Sequence, residues 1–279
     1  MPKRDAFPVR IGVVTLRALS CGLSLMLGLL AAGLLLALTA SGPANAAPAA
    51  CIVVTTTIQA AIDSAPTGAT VCVPAGTYTE SLTLDKAVNL TGALSSTTIV
   101  RALAGQRVLT VTGISIHNST VISGLTFTGG NVSGDGGGLH VDADAQPRLE
   151  NLIISGNKAN NVGGGLFTDV GSPLLLVNVV VFSNTAVLYG GGVYASDNLS
   201  LQGGRIENNQ CTGPSCRGGG LSMNDVNPVT MLGAQFLHNT SGSNGGGAYV
   251  PGSLTAHGTR SSIVVRARPW VTIRSCLCA

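Results

Sequence analysis

The sequence is poor in aromatic residues, at 4%, and poor in charge, at 10%. No basic stripe and no platform of rings exist, so nucleic acid is excluded as a partner. The seven cysteines never form paired CxxC or CxxH units, which excludes the usual zinc sites. Net charge is lacking too. The formal +3 of the chain includes Lys3, Arg4, Arg10, Arg17 and Asp5 near its start; beyond Ala46 the 15 − 4 = 11 basic residues match 12 − 1 = 11 acidic ones.

What the sequence does have is glycine, 38 residues in 279, and a long apolar run near the start. Residues 1–46 read as a signal peptide: the four cations, the uncharged stretch Leu19–Ala40, then "SGPANA" as a small-residue cleavage site. The run is also long enough to cross a bilayer, so an uncleaved anchor is the alternative and the sole membrane contact expected. The protein is expected to be secreted or at the cell surface.

"GGG" starts at Gly136, Gly163, Gly190, Gly218 and Gly245, at spacings of 27, 27, 28 and 27. Counting from the first glycine of each unit, apolar columns recur: Leu149, Leu176 and Met231; Leu152, Val179 and Ala234; Ile154, Val181 and Phe236. Asn157, Asn184 and Asn239 form a fourth column. The Gly190 unit joins after a two-residue deletion, with Leu201, Gly204, Ile206 and Asn209, and regains length in "QCTGPSC". Between the apolar columns stand Gly124, Asn151, Asn178, Gly203 and Gly233, all residues that tolerate positive φ. One sharp turn therefore recurs, flanked by two-residue alternation of Val, Ile and Leu, which predicts short strands. A unit this small cannot bury its own apolar face and must stack on its neighbours. The expected result is an all-β solenoid of about seven coils over residues 47–254, with the Asn column as an internal amide ladder.

These repeats resemble the right-handed parallel β-helices of the pectate-lyase-like superfamily. The "GGGL" and "[Ile/Val/Phe]-x-x-Asn" pairs are similar to those of polymorphic outer-membrane proteins. "IQAAIDSAPTGATVCVPAGTYTESLTLDKAVNLTGA", from Ile58, resembles the opening of secreted β-helix proteins, pectinesterases included. Thr57 is placed to N-cap a short helix whose Ile58, Ala61 and Ile62 share one face, a cover for the first coil's exposed edge. After Val250 the repeat fades: straight counting puts Arg266 where the ladder Asn belongs, and 255–279 reads as a divergent cap or a truncated tail. An uncovered end would favour end-to-end self-association.

In an exported chain, Cys51 with Cys72 and Cys211 with Cys216 are candidate disulfides. Two surface columns are candidate sites. Asp142, Asp169, Asp197 and Asp225 close the first strand of successive units; they suit Asx turns, or a calcium ion that would relieve their repulsion. His140, Phe167, Tyr194 and Tyr249, with Ser222 in the fourth coil, are expected to point outward as a ring stripe that stacks on sugars or braces its own strands. The catalytic signatures implied by the resemblance are missing. "RPW" at Arg268–Trp270 resembles a pectinesterase segment, but that family's two aspartate motifs have no counterpart, nor do polygalacturonase "NTD" and "GHG". No cofactor is called for. The expected function is a non-catalytic secreted or cell-surface rod that contacts a polysaccharide or cell-surface glycan. The alternative is a polysaccharide-active enzyme, of pectate-lyase or pectinesterase type, with an incomplete or unrecognised site.

Overall fold

A computed structural model describes residues 51–224, 227–261 and 271–274. The signal segment, Asp225, "RPW", Cys276 and Cys278 lie outside the described residues. The chain is a right-handed parallel β-helix. Among the described residues every strand pairing is parallel, and pairs join equivalent segments of successive coils: Arg148–Glu150 with Leu174–Val177, Ile153–Ser155 with Val180–Phe182, and Leu139–Val141 with Leu166–Thr168. Among the described residues three long stacks of 10, 8 and 7 strands result, the first, second and third sheets, beside a minor stack of five two-residue strands.

The register confirms the columns. Leu149, Leu176, Leu201 and Met231 stack, as do Ile154, Val181, Ile206 and Phe236; all are nearly or fully buried. The turn column has positive φ throughout: Gly124 66°, Asn151 49°, Asn178 51°, Gly203 67° and Gly233 69°. It continues at Gly258, φ 60°, because the chain goes on coiling: Leu254–His257 pairs with Val229–Leu232, Arg260–Ser261 with Gln235–Phe236, and Val271–Arg274 with Leu254–His257. Coiling thus extends past Val250. In this register residues pair 25 positions apart, as Phe236 does with Ser261; Arg266 lies outside the described residues.

The asparagines form a buried ladder. Asn157 Nδ2 donates to Asn184 Oδ1, Asn184 Nδ2 to Asn209 Oδ1, and Asn209 Nδ2 to Asn239 Oδ1, each at 3.0 Å. The same Oδ1 atoms accept the backbone N–H of the preceding Asn, also at 3.0 Å. The second amide proton goes to a carbonyl of the coil before, as from Asn184 to Ile154 at 2.9 Å. A buried amide costs free energy unless its donors and acceptor are used, and here they are.

The ladder explains the three glycines. Gly163 turns the chain at φ 63°. A side chain on Gly164 would run into the carbonyls of Gly191 and Thr185. A Cβ on Gly165 would lie 2.9 Å from Asn184 Nδ2 and 2.7 Å from the Gly192 carbonyl oxygen. The same contacts recur for Gly138 with Asn157, Gly192 with Asn209 and Gly220 with Asn239. One glycine makes the turn; the other two clear space for the next coil and for the amide.

At the amino-terminal end, the helix Ile58–Ser64 buries Ile58, Ala61 and Ile62 against the first coil. Thr57 Oγ1 accepts from Ala60 N, and the Glu80 carboxylate accepts from the N–H groups of Ile58 and Gln59, satisfying the free donors of the helix start. Gln59 finishes the cap: its side-chain amide exchanges two hydrogen bonds with the backbone of Thr83, in the outermost strand Leu82–Leu84 of the third sheet. Cys51 and Cys72 are joined, Cα atoms 5.8 Å apart, as are Cys211 and Cys216 in the one inserted loop.

Asn184→Ala strands the Asn157 N–H and the Ile154 carbonyl in a dry interior, at about 1–3 kcal/mol per group. Urea unfolding should show a loss of roughly 3 kcal/mol or more, against about 0.5 kcal/mol or less for the exposed Asn160→Ala. Equal losses would contradict the ladder.

Candidate functional site

The outer face of the third sheet gathers most of the chemistry-bearing side chains. His140, Phe167, Tyr194, Ser222 and Tyr249 are in register on five adjacent strands, one per coil. His140 meets Phe167 edge to face at 4.6 Å between ring centroids, and Phe167 stacks on Tyr194 at 5.8 Å and 8°. Phe167, expected to present its ring outward, is only 8% exposed. Its two faces are taken by the neighbouring rings, so it braces the column and the rings beside it carry the accessible surface.

A second column lies alongside. Val162, Tyr189, Arg217 and Asn244 pair across successive coils, each one residue before its three glycines. The glycine turn folds this position back beside the ring column: a Cβ on Gly163 would sit 3.0 Å from Phe167 Cβ. Tyr189 thus comes within 6.2 Å of Tyr194, centroid to centroid. Arg217 lies over Tyr249 at 5.1 Å and donates to its phenol oxygen at 3.3 Å. Tyr189, Arg217 and Asn224 were not singled out from the sequence. The signal was present, because the position before each "GGG" is itself a column.

Around Ser222 the face opens into a recess of about 170 Å³, walled by Tyr194, Arg217, Asn224 and Tyr249. Tyr194 Oη donates to Asn224 Oδ1 at 2.9 Å. Larger grooves of about 380, 390 and 260 Å³ are lined without a ring or a charge, so volume alone does not mark the site.

His140 ends the column beside Asp142, Nε2 to Oδ1 at 2.9 Å, a contact between strand and turn that its sequence column did not predict. Burial pushes the imidazole below its ordinary value near 6.5, and Arg107 adds to this; Asp142, Asp135 and Asp169 oppose it. Arg107 is itself lowered by burial, against the pull of Asp142 and Asp135. With Nε2 held by Asp142 and Nδ1 buried without a hydrogen-bond partner, His140 offers no accessible nitrogen for proton transfer.

The aspartate column divides. Asp142 and Asp169 are adjacent, but the next position is Ser196, and Asp197 stands one residue further on. Asp169 Oδ1 accepts from Val170 N at 2.7 Å, and Asp197 accepts from Asn198 N at 2.6 Å and Gly171 N at 3.1 Å. The first two are local turn contacts, and the third ties successive coils together. Among the described residues no three His, Cys, Asp or Glu side chains converge as a metal site.

No protein-family model and no curated protein matches the chain. Among solved structures it is similar to a pectin methylesterase variant in complex with a hexasaccharide, at TM-score 0.44 and 12% identity over 81% of this chain and 82% of that one. It is also similar to pectin methylesterase PemA from Erwinia chrysanthemi, at TM-score 0.42 and 13% identity over 79% and 80%.

A depressed imidazole means that the unfolded chain takes up a proton first as pH falls. The stability His140 contributes is complete above pH 6.5 and is lost as pH falls from there through the lowered folded-state value. The melting temperature of wild type should therefore fall more between pH 7 and 5.5 than that of His140→Phe. Parallel pH profiles would contradict this.

Proposed function

We propose that the protein is an exported, non-catalytic rod that binds a polysaccharide along the outer face of its third sheet. The ring ladder carries this reading. Phe167 and Tyr194 stack in register, and Tyr189 and Tyr249 flank them, with Arg217 over the Tyr249 ring and Asn224 at the Tyr194 hydroxyl. Ring faces bordered by amide, guanidinium and hydroxyl groups suit sugars, whose apolar faces stack while their hydroxyls hydrogen-bond. The strip repeats along the rod at about 4.8 Å per coil. Individually weak contacts to successive sugars of one chain then add through effective concentration.

Binding without turnover is favoured because both nitrogens of the one histidine in the strip are engaged or sealed. Export is favoured by the disulfides Cys51–Cys72 and Cys211–Cys216, which persist in oxidising compartments. Adhesion to a glycan-bearing surface is the corresponding biological role.

The test is titration of the purified chain with hexasaccharides from cellulose, xylan, chitin and polygalacturonate, with product analysis on each. One of them should bind without cleavage or ester release, and Tyr194→Ala should weaken it roughly tenfold, about 1.4 kcal/mol. Failure to bind any, or catalytic turnover, would overturn the reading.

A further inference from the structure

The ring column is interrupted once. His140, Phe167 and Tyr194 supply rings on three consecutive coils, Ser222 supplies none, and Tyr249 resumes the series. Tyr194 and Tyr249 therefore stand two strand spacings apart, about 9.6 Å. A planar group midway between them would lie about 4.8 Å from each, inside the 4.5–7 Å range over which rings pack. The recess of about 170 Å³ opens at this gap, with the nearly buried Ser222 among its walls.

The inserted loop at the end of the preceding unit leads directly into this coil. Cys211–Cys216 closes that loop, both cysteines are buried, and Arg217 follows directly, exposed. Arg217 is anchored to Tyr249 through its ring face and its phenol oxygen. The coil that lacks a ring thus presents a guanidinium at the edge of the gap, while Asn224, bonded to the Tyr194 hydroxyl, closes the side after the strand.

Resting on the glycan reading above, we infer that the recess at Ser222 is a subsite for one pyranose ring. The ring's apolar face packs on Tyr194, and its hydroxyls meet Arg217, Asn224 and Ser222. A sugar supplies hydrogen-bond partners to all three polar groups, whereas an aromatic ligand supplies none. Ser222 sets the specificity of the strip, because any larger side chain there would complete the protein's own ladder and exclude the ligand.

Ser222→Phe tests this without removing a contact from the core. The new ring joins a series that already packs as Phe167 on Tyr194, so the fold should be retained, as circular dichroism and melting would show. Against whichever of the four hexasaccharides wild type binds, Ser222→Phe should weaken affinity at least tenfold and Ser222→Ala less than threefold. Should Ser222→Phe fail to fold, Asn224→Ala and Arg217→Ala serve, each expected to lose at least fivefold. Wild-type affinity in folded Ser222→Phe, or in both replacement variants, combined with loss in Tyr194→Ala, would overturn the subsite and leave the strip. No binding by wild type itself would overturn both.

Discussion

The contact between the third glycine of each unit and the amide of its ladder asparagine is the constraint on which the rest of the rod depends. The amide reaches its neighbour at 3.0 Å only where the glycine backbone lies directly against it. A methyl group at Gly165 would fall within 3 Å of both Asn184 and the next coil. Glycine and asparagine are therefore one feature split between two places in the sequence, 19 residues apart in the units of Gly138 and Gly165. Where the Gly190 coil drops two residues, the drop falls between these partners, and the Gly192–Asn209 contact is kept. Loop length can vary, but this contact fixes the coil's cross-section.

From that contact the surface follows. The first glycine's turn brings the residue before it alongside the outward position of the third sheet. Two columns, distant by count, become a double row of side chains. Parallel pairing in strict register then makes each row continuous, so a ring in one coil necessarily meets whatever the next coil offers. Phe167 is covered for this reason, and Ser222 leaves a gap for the same reason.

The solenoid was legible in the sequence because its signals repeat. Period, apolar alternation and the Gly/Asn turn column all describe backbone geometry, and each is read several times over. The helix cap was legible from Thr57 and its apolar face, although the Gln59–Thr83 exchange that seals the edge was not. The site was half legible. Its rings lay in a visible column, but Tyr189 and Arg217 needed the fold-back at the glycine turn before they could be placed beside it. Burial also escaped the sequence: alternation said that Phe167 points away from the core, while its exposure depends on the rings one coil above and below. The 25-residue step to Leu254–His257 was missed because a straight count at 27 has no means of seeing it.

Native-state hydrogen exchange of the backbone amides of Asn157, Asn184 and Asn209 tests the central claim most directly. Each donates to the ladder oxygen of the next coil, deep in the rod. If the ladder holds the coils together, these three amides exchange only through global unfolding, with protection matching the unfolding free energy and falling with it in denaturant. Exchange through local opening, at rates resembling those of the surface turns, would contradict the account.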